Sequence, residues 1–178
     1  MHVGAKKMAT AGLLVAFSVI MMLLSSVIET SSLFFIAAAS FCVGVAVREW
    51  GLRMGFAFMI ASIALNFLII PSKLYCFTLA GMGFYIWVSE WLWKRIANAK
   101  TLKYRMAVLW GGKYVIFNFM YIPVLFFAPK LLFAGKMNGL AAVLLMVVGQ
   151  ALLYVYDVAY RYFQAQIWGR LRGRLMQR

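Results

Sequence analysis

Four charged residues, Glu90, Lys113, Asp157 and Arg161, stand inside long apolar runs of a 178-residue chain that is only 12% charged. Lys113 lies eight residues past Arg105, and Asp157 lies six residues before Phe163. At about 1.5 Å of helical rise per residue, they sit about 12 Å and about 9 Å from the same boundary. A charge in hydrocarbon is expensive, so it is paired or it works. The matched depth predicts a Lys113–Asp157 ion pair between adjacent helices. Arg161 follows Asp157 by four residues on the same helix face, where it competes for the carboxylate or completes a triad. The chemistry open to this group is mutual neutralisation that locks helix packing, a proton relay, or a ligand contact. Glu90 and Lys94 have the spacing of a simpler i, i+4 pair.

A second set of polar residues is uncharged at its centre. Asn118 and Gln150 stand near the middle of their apolar runs, and Asn66 lies about one turn before Pro71. Tyr75 and Tyr121 come near the far ends of theirs, and Asn138 opens the last run. With Glu29 and Lys73 these residues are candidates to line a pocket for a small polar molecule. The alternative is hydrogen bonding between helices, typically about 1 kcal/mol or less per bond in a membrane.

Enzyme chemistry lacks its parts. The one histidine is His2, outside the apolar runs, and no short-spaced carboxylate pair or nucleophile elbow occurs. Gly111-Gly112-Lys113 lacks the rest of a phosphate loop, so no cofactor or nucleotide site is expected. Cys42 and Cys76 give neither a disulfide framework nor a metal spacing. A chain without a nucleotide site that drives uptake must borrow the energy from a partner.

The elements that position these residues follow from composition. The chain is 66% hydrophobic with a mean hydropathy of +0.90, far from the roughly 45–50% apolar content of soluble domains. It reads as an all-α membrane protein, one domain built as a six-transmembrane-helix bundle. The segments are 8–28, 33–47, 54–70, 74–93, 106–128 and 137–163. The first has no ionisable residue between Lys7 and Glu29 and is too long for a signal peptide's apolar core, so cleavage is not expected. The net charge of +14 does not point to nucleic acid, because the cations fall between apolar blocks and form no stripe. Sorted by alternate loops, thirteen Lys and Arg fall on the side of both termini and three on the other. That bias puts both termini in the cytoplasm and the chain in the plasma membrane, in contact with lipid. All six tryptophans fall in or near the same inner ends, as an aromatic belt does. No internal repeat supports an inverted-repeat carrier.

The first segment has small residues in its first half and large ones in its second. Gly12 and Ala16 form a small-xxx-small pair, with Ala5 and Ala9 one turn earlier. Such pairs let helix backbones approach closely, either within the bundle or against a partner. With its size, six segments, inward N-terminus, Gly12-x-x-x-Ala16 and the basic turn Arg48-Glu-Trp-Gly-Leu-Arg53, the chain resembles the substrate-binding S components of energy-coupling factor (ECF) transporters. The resemblance implies capture of a vitamin or similar micronutrient from the outer side. It implies docking through the first helix on a transmembrane coupling subunit driven by two ATPases. Ala9, Gly12 and Ala16 would dock, and the turns holding Glu29 and Lys73 would act as lids. Two other readings stay open: a membrane scaffold resembling the rod-shape protein MreD, and a small secondary carrier in which Lys113 or Asp157 titrates with transport.

Overall fold

The computed structural model describes residues 4–98, 104–127 and 139–170, and these are helical apart from short connections. In chain order the helices are α1 (Ala5–Val27), α2 (Ser32–Trp50), α3 (Leu52–Ile69), α4 (Lys73–Asn98), α5 (Arg105–Phe127) and α6 (Gly139–Tyr162). A 3-10 turn, Glu29–Ser31, joins α1 to α2, and a π-helical stretch, Phe163–Trp168, continues α6. Four stretches among the described residues are long and apolar enough to cross a membrane: Lys7–Val27, Ser32–Trp50, Leu52–Ile69 and Val143–Trp168. The helices α4 and α5 are as long, at 26 and 23 residues, but carry Glu90, Lys94 and Arg95, and Arg105 and Lys113.

The helices outrun the apolar segments. The α2 helix carries on through Arg48, Glu49 and Trp50, and α4 continues five residues past Trp93. Hydropathy marks where apolar surroundings end. The backbone ladder ends only where it is broken, by Gly51 after α2 and by Pro71 after α3.

Contacts divide the chain into two compact units, Met1–Asn98 and Ala99–Arg178. The first holds α1 to α4 in up-and-down order. Its central member is α2, which packs against α1, α3 and α4. That position explains why Phe41 through Val47 are buried without a break: a helix covered on several sides has no polar face to present. Towards the Ser32 end of α2, Met22, Ile36, Ala39, Ile70, Cys76 and Leu79 form a buried cluster. The buried stripe of α1 is Leu14, Ser18, Met22 and Ser25, at helical spacing. Ser25 and Ser40 are tolerated in these apolar helices because their hydroxyls bond back to their own helix, Ser25 Oγ to the Met22 carbonyl at 2.7 Å and Ser40 Oγ to that of Ala37 at 2.6 Å.

The α2–α3 hairpin depends on two glycines. Gly51 is its whole connection and has φ 90, a left-handed conformation that L side chains rarely adopt. Gly55 lies so close to α2 that an added Cβ would stand 2.8 Å from Val47 Cα and 3.0 Å from its backbone nitrogen. Gly55→Ala therefore forces the two backbones apart. We expect it to destabilise the first unit by about 1–3 kcal/mol, the usual range for overpacking, in detergent-solubilised unfolding monitored by circular dichroism. Gly12→Ala, where an added Cβ meets nothing within 4 Å, is the matched control and is expected to hold or raise the unfolding midpoint, since alanine favours a helix interior by about 0.5–1 kcal/mol.

Candidate functional site

In the second unit, α5 and α6 run antiparallel and share one buried carboxylate. Lys113 Nζ donates to Asp157 Oδ1, and the side chains are 8% and 1% exposed. Arg161 Nε lies 3.2 Å from the other oxygen, Oδ2, with its side chain 46% exposed. The Trp110 ring gathers both cations: its centroid is 5.5 Å from Lys113 Nζ and 5.2 Å from the Arg161 guanidinium carbon. Tyr154 stacks on the same ring at 5.6 Å. Two cations on one carboxylate leave one positive charge, which the electron-rich ring face helps to hold. The group is a triad bridging two helices.

The uncharged residues repeat the bridge further along. Gln150 Nε2 donates to Asn118 Oδ1 at 2.7 Å, while Asn118 Nδ2 donates to the Tyr114 carbonyl at 2.8 Å. Tyr121 donates its hydroxyl to the Leu145 carbonyl at 2.9 Å. Its ring fills the space beside Gly149, where an added Cβ would stand 2.8 Å from the ring. Asn118, Tyr121 and Gln150 are thus brought together as interhelical bonds. The residue that sequence reasoning missed is Gly149, whose missing side chain makes room for the tyrosine.

In the first unit the polar groups are arranged otherwise. Asn66 is fully buried and donates Nδ2 to the Ser62 carbonyl of its own helix at 2.8 Å. Its Oδ1, and the hydroxyls of Ser18, Ser62 and Ser89, are buried without a hydrogen-bond partner. Lys73 Nζ lies 2.5 Å from the Phe67 carbonyl and 3.2 Å from that of Ile70, over the Phe67 ring. It caps the last carbonyls of α3, where the helix dipole is negative. Tyr75 packs against the buried cluster of Met22 and Ile36. Glu29 opens the 3-10 turn, and Asn138 lies outside the described residues. An apolar hollow of about 440 Å³ on α3, lined by Ile60, Ile63, Ala64, Phe67 and Leu68, includes none of the expected pocket residues.

Sequence spacing also missed the main partner of Glu90. Arg48 of α2 reaches it, with Nη2 2.6 Å and Nε 2.8 Å from Oε1, and Glu90 is only 4% exposed. Lys94 turns to the Val47 carbonyl at 3.4 Å. The cause is the tight packing of α2 on α4, which lets a side chain 42 positions away compete with a neighbour one turn along. Trp87 Nε1 closes the same end by donating to the Leu52 carbonyl at 3.0 Å.

Ala9, Gly12 and Ala16 stand on the exposed face of α1, opposite Leu14, Ser18 and Met22. An added Cβ at Gly12 meets nothing within 4 Å, so the small residues take no part in the packing of the first unit. Beyond them the same side of the helix carries large exposed residues, Phe17, Ile20, Leu23 and Val27.

Compared with known proteins, the chain matches no family model, no curated protein and no solved structure.

Removing one member of the triad separates its roles. Asp157→Asn strands the buried Lys113 charge and is expected to destabilise the second unit by about 3–5 kcal/mol, the range for breaking a buried pair. Pairing it with Lys113→Met is expected to recover most of that loss. Arg161→Gln, at a half-exposed position, is expected to change stability by about 1 kcal/mol or less. Urea unfolding in micelles measures all three. An Asp157→Asn variant as stable as the parent would sink the structural role.

Proposed function

We propose that the chain is a six-span plasma-membrane protein with both termini in the cytoplasm, and that it works as a substrate-capture subunit of ECF type. In this reading it takes a vitamin-like small molecule from the outer side and docks on a transmembrane coupling subunit through α1. The observation that carries the reading is the α1 face: Ala9, Gly12 and Ala16 are in helical register, small and left open by the unit that contains them. Small residues that do not serve packing at home leave room for the close approach of another helix. The bias of thirteen cations to three between alternate loops supports the orientation. Asn66 supports capture, because its buried Oδ1 lacks a protein partner.

The scaffold reading draws on a different observation. Lys73, Asn118 and Tyr121 bond within the chain, and Gln150 donates its Nε2 to Asn118, although its own Oε1 is buried without a hydrogen-bond partner. A scaffold resembling MreD would use the same α1 face on a partner and would bind no small molecule.

Gly12→Leu distinguishes a docking face from a structural one, since the first unit has space for the added side chain. The expected outcome is a folded protein that no longer co-purifies with its membrane partner and no longer supports uptake. Native mass spectrometry of protein purified from its host separates the two readings. A co-purified small molecule supports capture. An empty bundle that binds no coupling subunit leaves the scaffold.

A further inference from the structure

We propose that the groove between the C-terminal ends of α2 and α4 holds the phosphate of an anionic phospholipid. The inference rests on the membrane reading above and is independent of substrate capture. The groove has a volume of about 540 Å³ and is lined by Arg48, Glu90, Trp93, Lys94 and Ala97.

Its charges are built in. Glu90 is buried, and its carboxylate fixes the Arg48 guanidinium through two nitrogens while 40% of the arginine side chain stays exposed. Lys94 makes one long bond, 3.4 Å to the Val47 carbonyl, which engages one of its three ammonium hydrogens. Two cations against one carboxylate leave the groove with a single positive charge, matching the single negative charge of a phosphodiester. The buried carboxylate positions a cation at the rim and is itself shielded by it.

The groove also lies at the right level. Arg48 is 16 residues from the start of α2, and Glu90 is 17 from the start of α4. Both are therefore about 24–26 Å along their helices, close to the edge of a hydrocarbon core about 30 Å thick, where phosphates begin. Trp93, half exposed in the groove, and Trp91, beneath the Arg95 guanidinium at 5.3 Å, are the aromatic residues that favour this boundary. Basic pockets between helices at this level recognise lipid headgroups by charge and hydrogen bonding.

The test uses the full-length protein in micelles containing equal amounts of phosphatidylglycerol and phosphatidylcholine, with retained lipid read by native mass spectrometry. The parent is expected to retain phosphatidylglycerol over phosphatidylcholine by about fivefold, the effect of roughly one basic residue near charged headgroups. Lys94→Gln keeps the Arg48–Glu90 pair and is expected to bring the ratio close to one. Lys7→Gln removes the same charge from an exposed position outside the groove and is expected to preserve the preference. Equal retention of the two lipids by the parent, or equal losses in the two variants, overturns the proposal. Displacement of phosphatidylglycerol by excess glycerol phosphate also overturns it, in favour of a soluble phosphate ester. Recovery of the parent from cells without detergent would instead sink the membrane reading on which it stands.

Discussion

The second unit depends on the demand of one buried carboxylate for cations. Asp157 is almost fully enclosed, and leaving it unpaired costs about 3–5 kcal/mol, as much as a large cavity in the core. Lys113 and Arg161 answer it from two helices, and the bridge fixes the register of α5 against α6. Everything else along that seam follows. Moving five residues up α5 from Lys113 reaches Asn118, and moving seven back along α6 from Asp157 reaches Gln150, which bonds to it. Eight residues in each direction bring Tyr121 beside Gly149. An apolar helix pair could slide with little penalty, but this one is pinned at three levels.

The first unit is held by a different means. Among the described residues, the interhelical polar bonds of Arg48, Lys94 and Trp87 gather at one end instead of running as a ladder. What replaces the ladder is close approach. Gly55 lets α3 lie against the backbone of Val47, and the Ala39–Val47 stretch of α2 is buried without a break among its neighbours. Lys73 and Trp87 then satisfy carbonyls where α3 ends and where it begins. The price of this packing is a set of buried oxygens, on Ser18, Ser62, Asn66 and Ser89, that shape alone leaves unanswered.

These two ways of holding helices together explain what was legible in the sequence. Apolar length located the helices, because the backbone of an apolar segment must bond to itself. The ends were misjudged by a few residues, because Arg48 or Lys94 ends the hydropathy without ending the ladder. The Lys113–Asp157–Arg161 group could be read from depth and from i, i+4 spacing, since both are properties of one dimension. Its corollary was also present but unread: the register that pairs Lys113 with Asp157 already brings Asn118 within a turn of Gln150. The Arg48–Glu90 pair was hidden, because it depends on which helices are neighbours. So was the role of Gly149, which is a matter of volume.

The same distinction bears on α1. Three glycines stand at positions that pattern alone treats alike, and their surroundings separate them. Gly55 faces a backbone less than a side chain away, and Gly149 faces an aromatic ring, so each is already used. Gly12 faces open space, between Ala9 and Ala16 on a helix whose other side is committed to Leu14, Ser18 and Met22. In an apolar helix, small residues gain nothing by facing lipid, which larger side chains would cover at least as well. Small residues permit close backbone approach, and at Gly12 the first unit places nothing within 4 Å of an added Cβ. The large residues Phe17, Ile20 and Leu23 further along the face would carry a crossing partner away from the axis at that end. A helix laid against this side would therefore touch most closely near Gly12 and diverge towards Val27, an inclined contact localised at the Lys7 end of α1.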